Sequence, residues 1–191
     1  MKRILVLISV IAVVLAGVWQ YSAAKDNKAV KEKVMTEKKV LIAYYSLSGN
    51  TKAVAEKIQK ITGGDIFEIE PVKPYPTEYN AVVELAKREK ATEATPDIKG
   101  SVDVSKYDVI FVGTPVWWYT MATPVRTFVS KNDFSGKVIA PFCTHGGGGA
   151  SATFSDIKKY APVAEVLEGF STYENSADEK STLNWINSLK I

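Results

Sequence analysis

Cysteine and histidine are almost missing from this 191-residue chain, each occurring once, as Cys143 and His145. A lone cysteine excludes a disulfide framework within the chain. Two ligands of that kind also leave a structural zinc site incomplete. Counts alone leave a Ser-His-Asp arrangement open, but any chemistry that needs an imidazole must use His145. A broad surface of one charge is missing too. The formal net charge is +3, and residues 25–39 hold six lysines against Asp26, Glu32 and Glu37. The sequence beyond them is therefore close to neutral and offers no basic face for nucleic acid. With 46% of residues apolar, a wholly disordered chain is excluded, and the length suits one domain with a core.

What is present begins with a leader. Lys2 and Arg3 precede an apolar run over residues 4–18, and Ser22, Ala23 and Ala24 follow it. A charged start, an apolar centre and small residues make a signal peptide. The run falls short of the roughly 20 residues that span a bilayer. Trp19 and Tyr21 would suit an interface, so an uncleaved anchor is the alternative, and a buried element of the domain a third. No cysteine follows the run, which excludes lipid attachment through a thiol. Residues 1–24 are thus expected to be a signal peptide or N-terminal membrane anchor, and 25–38 a Lys-rich solvated spacer with weak attraction for anionic lipid as the lesser reading. Residues 39–191 form the domain, placed outside the cytoplasm, either secreted or held at the membrane through residues 4–18.

From residue 39 the pattern alternates. Apolar runs at 40–45, 107–113 and 137–143 predict strands buried on both faces, and 65–70 and 164–170 complete a set of five. Helical spacing predicts helices after Thr51, over Glu78–Lys90, after Thr123-Pro124 as N-cap and first position, around 151–160, and over Asp178–Leu189 with Leu183, Ile186 and Leu189 inward. Such alternation predicts an α/β domain with a parallel sheet covered on both sides. Ligands of such sheets bind outside the carboxyl ends of the strands.

Three loops leave those ends with unusual composition. Ser46-Leu47-Ser48-Gly49-Asn50-Thr51 offers three hydroxyls, an amide and a helix N-terminus, without Lys or Arg. That suits one terminal phosphate held by dipoles and hydroxyls, beyond what simple helix capping by Ser48 or Asn50 requires. Thr114-Pro115-Val116-Trp117-Trp118-Tyr119 supplies flat surfaces for a planar ring, or else core cover. Cys143-Thr144-His145-Gly146-Gly147-Gly148-Gly149 lets backbone amides approach a ligand edge, with His145 either favouring an anionic ring or merely solvated. Cys143 reads as a small buried hydrophobe rather than a redox thiol.

A monophosphate beside a planar ring points to flavin mononucleotide (FMN). On these motifs the chain resembles the flavodoxin-like family over residues 39–191. Ser46-Leu47-Ser48-Gly49-Asn50-Thr51 matches the family's phosphate pattern, Thr114-Pro115-Val116-Trp117-Trp118 resembles its flavin-covering loop, and Phe142 to Gly148 its other flavin loop. The segment PVKPYPTEYN is similar to that of a bacterial branch found behind export signals. The resemblance implies a three-layer sandwich with a five-stranded parallel sheet in the order 2-1-3-4-5. It implies FMN bound by Ser46, Ser48, Gly49, Asn50, Thr51, Thr114, Pro115, Val116, Trp117, Trp118, Thr144, His145, Gly146, Gly147 and Gly148.

The domain departs from small electron-carrier flavodoxins in lacking their strong acidity, and in its leader. The expected role is electron transfer with a redox partner protein or a small-molecule acceptor. The alternatives are an FMN-dependent NAD(P)H:quinone-type oxidoreductase and a flavin-binding or interaction module without redox turnover. No catalytic acid or base stands out, and no metal site.

Overall fold

Apolar runs become the inner strands because only a layer covered on both faces can hold them. β1 (Val40–Tyr44) is buried along its whole length, and β3 (Val109–Trp117) and β5 (Val138–His145) are buried through most of theirs. The computed structural model describes residues 38–191, which make one unit. The expected signal peptide or anchor over residues 1–24, and all of the expected spacer but Lys38, lie outside the described residues.

β1 pairs in parallel with β2 (Asp65–Glu68) and with β3. β3 pairs in parallel with β5, and β5 with both β6 (Glu165–Val166) and β7 (Phe170–Tyr173). The order is β2-β1-β3-β5-β6. Once β6 and β7 are taken as one interrupted edge strand, this is the expected order of five. Helices α1 (Asn50–Thr62) and α5 (Glu179–Ser188) pack together on one face, and α2 (Tyr79–Ala91), α3 (Thr123–Lys131) and α4 (Thr153–Tyr160) follow one another on the other. The main core lies under α2, α3 and α4: Leu41, Ala43 and Tyr45 face it at the strand period of two, with Ile110, Val112, Val125, Phe128 and Ile157.

The structure corrects four details of the sequence reading. The third strand runs on to Trp117 and turns back as β4 (Thr120–Met121), pairing antiparallel through Val116–Met121 and Trp117–Thr120. Trp118 and Tyr119 make that turn at φ of 49° and 69°. Helix α3 starts at Thr123 with Ala122 as its N-cap, because the Thr123 hydroxyl is committed elsewhere, to Glu89 of α2. The edge strand breaks around Gly169 and runs on to Tyr173, and the Phe154 ring lies so close to Gly169 that a Cβ there would stand 2.5 Å from it. Leu183 is 41% exposed instead of inward, and Leu189 is only half-buried. Trp185 sets the rotation of α5: it stacks on Phe170, meets Phe111 edge-on and donates its indole N–H to Glu168.

One buried charged group has no counter-charge among the described residues. Arg126 of α3 is 4% exposed, its Nε and Nη1 have no hydrogen-bond partner, and its guanidinium lies 5.5 Å from the centre of the Tyr160 ring. Among the described residues no helix is long and apolar enough to cross a membrane.

Candidate functional site

The strand-end loops after β1, β3 and β5 open on one cleft of about 1170 Å³. The first loop builds an anion cradle. Gly49 is the N-cap of α1 with φ 87°, a left-handed conformation that only glycine adopts without cost, and no side chain caps the helix. The N–H groups of the first turn, with the positive end of the helix dipole, are left for a ligand. Beside them the Ser46 hydroxyl is buried and has no partner among the described residues, although Ser46 lines the cleft. Burying a hydroxyl unpaired costs of order 1–3 kcal/mol, so its environment is complete only when an acceptor arrives. Ser48 and Asn50 also line the cleft, whereas Gly49 shapes the turn from outside it.

Thr51 is buried and shares a 2.9 Å hydrogen bond with Thr144, which ties the first loop to the end of β5. Thr114 lies below the cleft: its hydroxyl donates to the Pro115 carbonyl and accepts from Ala122 N–H, so it fixes the β3–β4 hairpin. Pro115, Val116, Trp117 and Trp118 line the cleft, as do Thr144, His145, Gly146 and Gly148. Gly147 does not, and its N–H donates to His145 Nδ1. That bond puts the proton of a neutral imidazole on Nε2, while Tyr173 meets the ring edge-on. Cys143 is buried, and burial pushes its thiol up to about 11, partly offset by a hydrogen bond to Ser171. Among the described residues no group of three or more His, Cys, Asp or Glu gathers as a metal site.

A further wall was not anticipated from sequence. Helix α2 and the connector before it close the β2 side of the cleft with Pro74, Tyr75, Val82, Val83 and Ala86. The Trp118 indole donates to the Val83 carbonyl, Lys90 Nζ donates to the Trp118 carbonyl at 2.6 Å, and Lys87 lies over the Trp118 ring. These contacts hold the hairpin against α2. Tyr45, Tyr75 and Trp117 form an aromatic floor with ring centres 4.9 to 5.9 Å apart. Burial first, and then the Glu89 carboxylate that accepts its hydrogen bond, raises the Tyr75 phenol above its ordinary value; burial does the same for Tyr45. Both stay protonated, with the Tyr75 hydroxyl committed to Glu89. The one sequence signal for this wall was the helical spacing of Val82, Val83 and Ala86. It said that α2 has an apolar face, but not what that face covers.

Comparison with known proteins agrees with this geometry. A family model described as Flavodoxin matches residues 39–189. The fold is similar to a chain from Bacteroides eggerthii classed as a flavoprotein, at 31% identity and TM-score 0.74 over 81% of this chain and 99% of that one. A second, from Bacteroides uniformis, has 25% identity and TM-score 0.72 over 78% and 98%. A flavoprotein from Lactobacillus acidophilus, solved in complex with FMN, has 25% identity and TM-score 0.65 over 81% and 99%. Residues 39–189, sheet order and cleft position together place the chain in the flavodoxin family.

Proposed function

We propose that the cleft binds FMN and that the protein is an electron-transfer flavoprotein acting outside the cytoplasm. The observation that carries the cofactor is the pairing of an uncapped helix N-terminus with the buried, unpartnered Ser46 hydroxyl. The Lactobacillus acidophilus relative, which carries FMN, supports it. Bound FMN supplies the exchange of electrons, and the chain supplies position and surroundings. Ser46, Ser48, Asn50 and the first N–H groups of α1 hold the phosphate without any lysine or arginine. Gly49 allows the close wrap, and the Thr51–Thr144 bond keeps the phosphate loop in register with the β5 loop. Trp117 and Trp118 offer flat faces to the ring, while His145, Gly146 and Gly148 meet its polar edge. No side chain is needed as an acid or base.

Residues 1–24 would carry the domain across the membrane or hold it there, and the electron partner would be a protein or a small molecule. The size of the cleft favours a second reading, an FMN-dependent oxidoreductase with a small-molecule acceptor.

The test is retention of flavin. The purified chain mixed with FMN and desalted keeps a flavin spectrum, and flavin eluting wholly with the small molecules would overturn the reading. Ser46→Ala removes one hydrogen bond to a charged group, worth about 1.5–3 kcal/mol, so FMN affinity falls about 10- to 100-fold with the fold intact. Reductive titration of the same sample separates one-electron from two-electron exchange. N-terminal sequencing of the cell-envelope protein reports whether the leader is removed.

A further inference from the structure

Past the end of β5 the chain has nothing to pack. His145 closes the strand: its carbonyl accepts from Glu174 N–H, and its register partner is Tyr173. Gly146, Gly147, Gly148 and Gly149 follow, and a Cβ built on any of them would meet nothing within 4 Å. With no side chain to bury, this stretch of the cleft rim takes its shape from hydrogen bonds. Among the described residues two side chains supply them. Gly147 N–H donates to His145 Nδ1 at 3.1 Å, and the Ser151 hydroxyl donates to the Gly148 carbonyl at 3.1 Å.

Only the first of these bonds answers to a proton. The imidazole accepts it through the lone pair of Nδ1, so the ring must be neutral. A second proton occupies Nδ1 and leaves a donor facing a donor. Imidazoles change charge between pH 5 and 8, and this is the only one in the chain. From β7, Tyr173 meets the ring edge-on with centres 6.2 Å apart, and Glu174 beyond it is exposed on the cleft wall. The phosphate loop brings no charged side chain, and Glu68 and Glu70 across the cleft are paired with Lys52 and Lys99. Among the described residues no ion pair includes His145. Gly146 and Gly148 line the cleft, while Gly147 stands outside it with its N–H turned to the ring. We infer that His145 is an acid-released tether of the cleft rim: neutral, it holds the glycine loop through Gly147, and protonated, it lets the loop go. The consequence for a ligand rests on the flavin reading, because the held loop is the shape in which Gly146 and Gly148 meet the ring's edge. The release itself does not depend on that reading.

The experiment takes the full chain labelled with 15N at glycine, first without flavin, from pH 8 to pH 5. The Gly147 amide signal is expected to move with the same midpoint as the His145 ring protons, while those of the helix-capping Gly63 and of Gly136 stay in place. In His145→Asn the side-chain oxygen still accepts from the N–H two residues on but does not titrate, so the Gly147 signal should hold still. In His145→Phe that signal should sit at the released position throughout. The added proton also brings a charge that attracts an anionic cofactor, so FMN affinity is compared at pH 8, where the native ring carries the tether. There His145→Phe should weaken FMN about fivefold, the worth of one neutral hydrogen bond, and His145→Asn should recover most of that loss. A Gly147 signal that ignores the titration of the ring, one that still titrates in His145→Asn, or equal flavin losses in the two variants would each overturn the tether. Failure to retain FMN, with Gly147 still following His145, would overturn the flavin reading and leave the tether standing.

Discussion

Two side chains show how single residues set the stability of this domain. Arg126 is buried without an anion among the described residues, and a buried cation of that kind is costly unless paired. Its contact with the Tyr160 ring offsets the cost only in part. Arg126→Met keeps the length and removes the charge, so it should stabilise the domain by about 1–2 kcal/mol in urea unfolding; a loss of stability would mean that the cation–π contact outweighs desolvation. Cys143 acts through pH. Its thiol titrates near 11 in the folded chain against an ordinary 9.0, so the folded state holds the proton more tightly than the unfolded state. That contribution is complete below pH 9 and is lost as pH rises toward 11, by about 2–3 kcal/mol. Tyr44, Tyr45 and Tyr75 add to the same trend at higher pH, since burial raises each of them. Urea midpoints measured from pH 8 to 11 should fall, and should fall less steeply in Cys143→Ala.

At the scale of elements, the β3–β4 hairpin is the strained piece. Two-residue turns with positive φ at both positions favour Asn-Gly, yet Trp118 and Tyr119 occupy this one. The left-handed conformation costs roughly 1–2 kcal/mol for each such residue. Trp118 is held by its bonds with Val83 and Lys90, whereas the Tyr119 side chain is 67% exposed with Lys90 over its ring at 5.9 Å, and its backbone carbonyl accepts from Ala152 N–H, a bond that glycine would keep. Tyr119→Gly should therefore raise the melting temperature by about 2–4 °C, on a scale of 2–4 °C per kcal/mol for a domain of this size.

The same hairpin shows where reading the sequence stops. Residues 40–44, 109–113 and 138–143 are legible as inner strands because burial on both faces demands unbroken apolar runs. The phosphate loop is legible because glycine, hydroxyls and a helix start stand adjacent in the chain. The turn at Trp118 is not, because it is held by Val83, Lys87 and Lys90, some thirty residues away in sequence. For the same reason Leu183 reads as inward: α5 is amphipathic at more than one rotation, and Trp185 chooses among them through Phe111 and Phe170.

Taken whole, residues 38–191 carry the sheet, both helical layers and the cleft lining described above. A chain trimmed to them should unfold in one transition within about 2 °C of the longer protein. FMN at a hundred times its dissociation constant should stabilise it by about 2.7 kcal/mol, or roughly 5–10 °C. A scanning calorimeter checks both, and a shorter chain that melts much earlier would show that residues before 38 contribute to the fold.

The parallel sheet gives the molecule two unlike poles. The chain enters β1 at Val40, at the amino ends of the strands, and the cleft opens at their carboxyl ends. A surface linker fixed at Lys38 would therefore orient every copy with its mouth toward solution. On an electrode, such a layer would be poorly wired to the metal but freely reached by dissolved mediators, whereas attachment through Tyr119 would bring the cleft to the metal and shut mediators out.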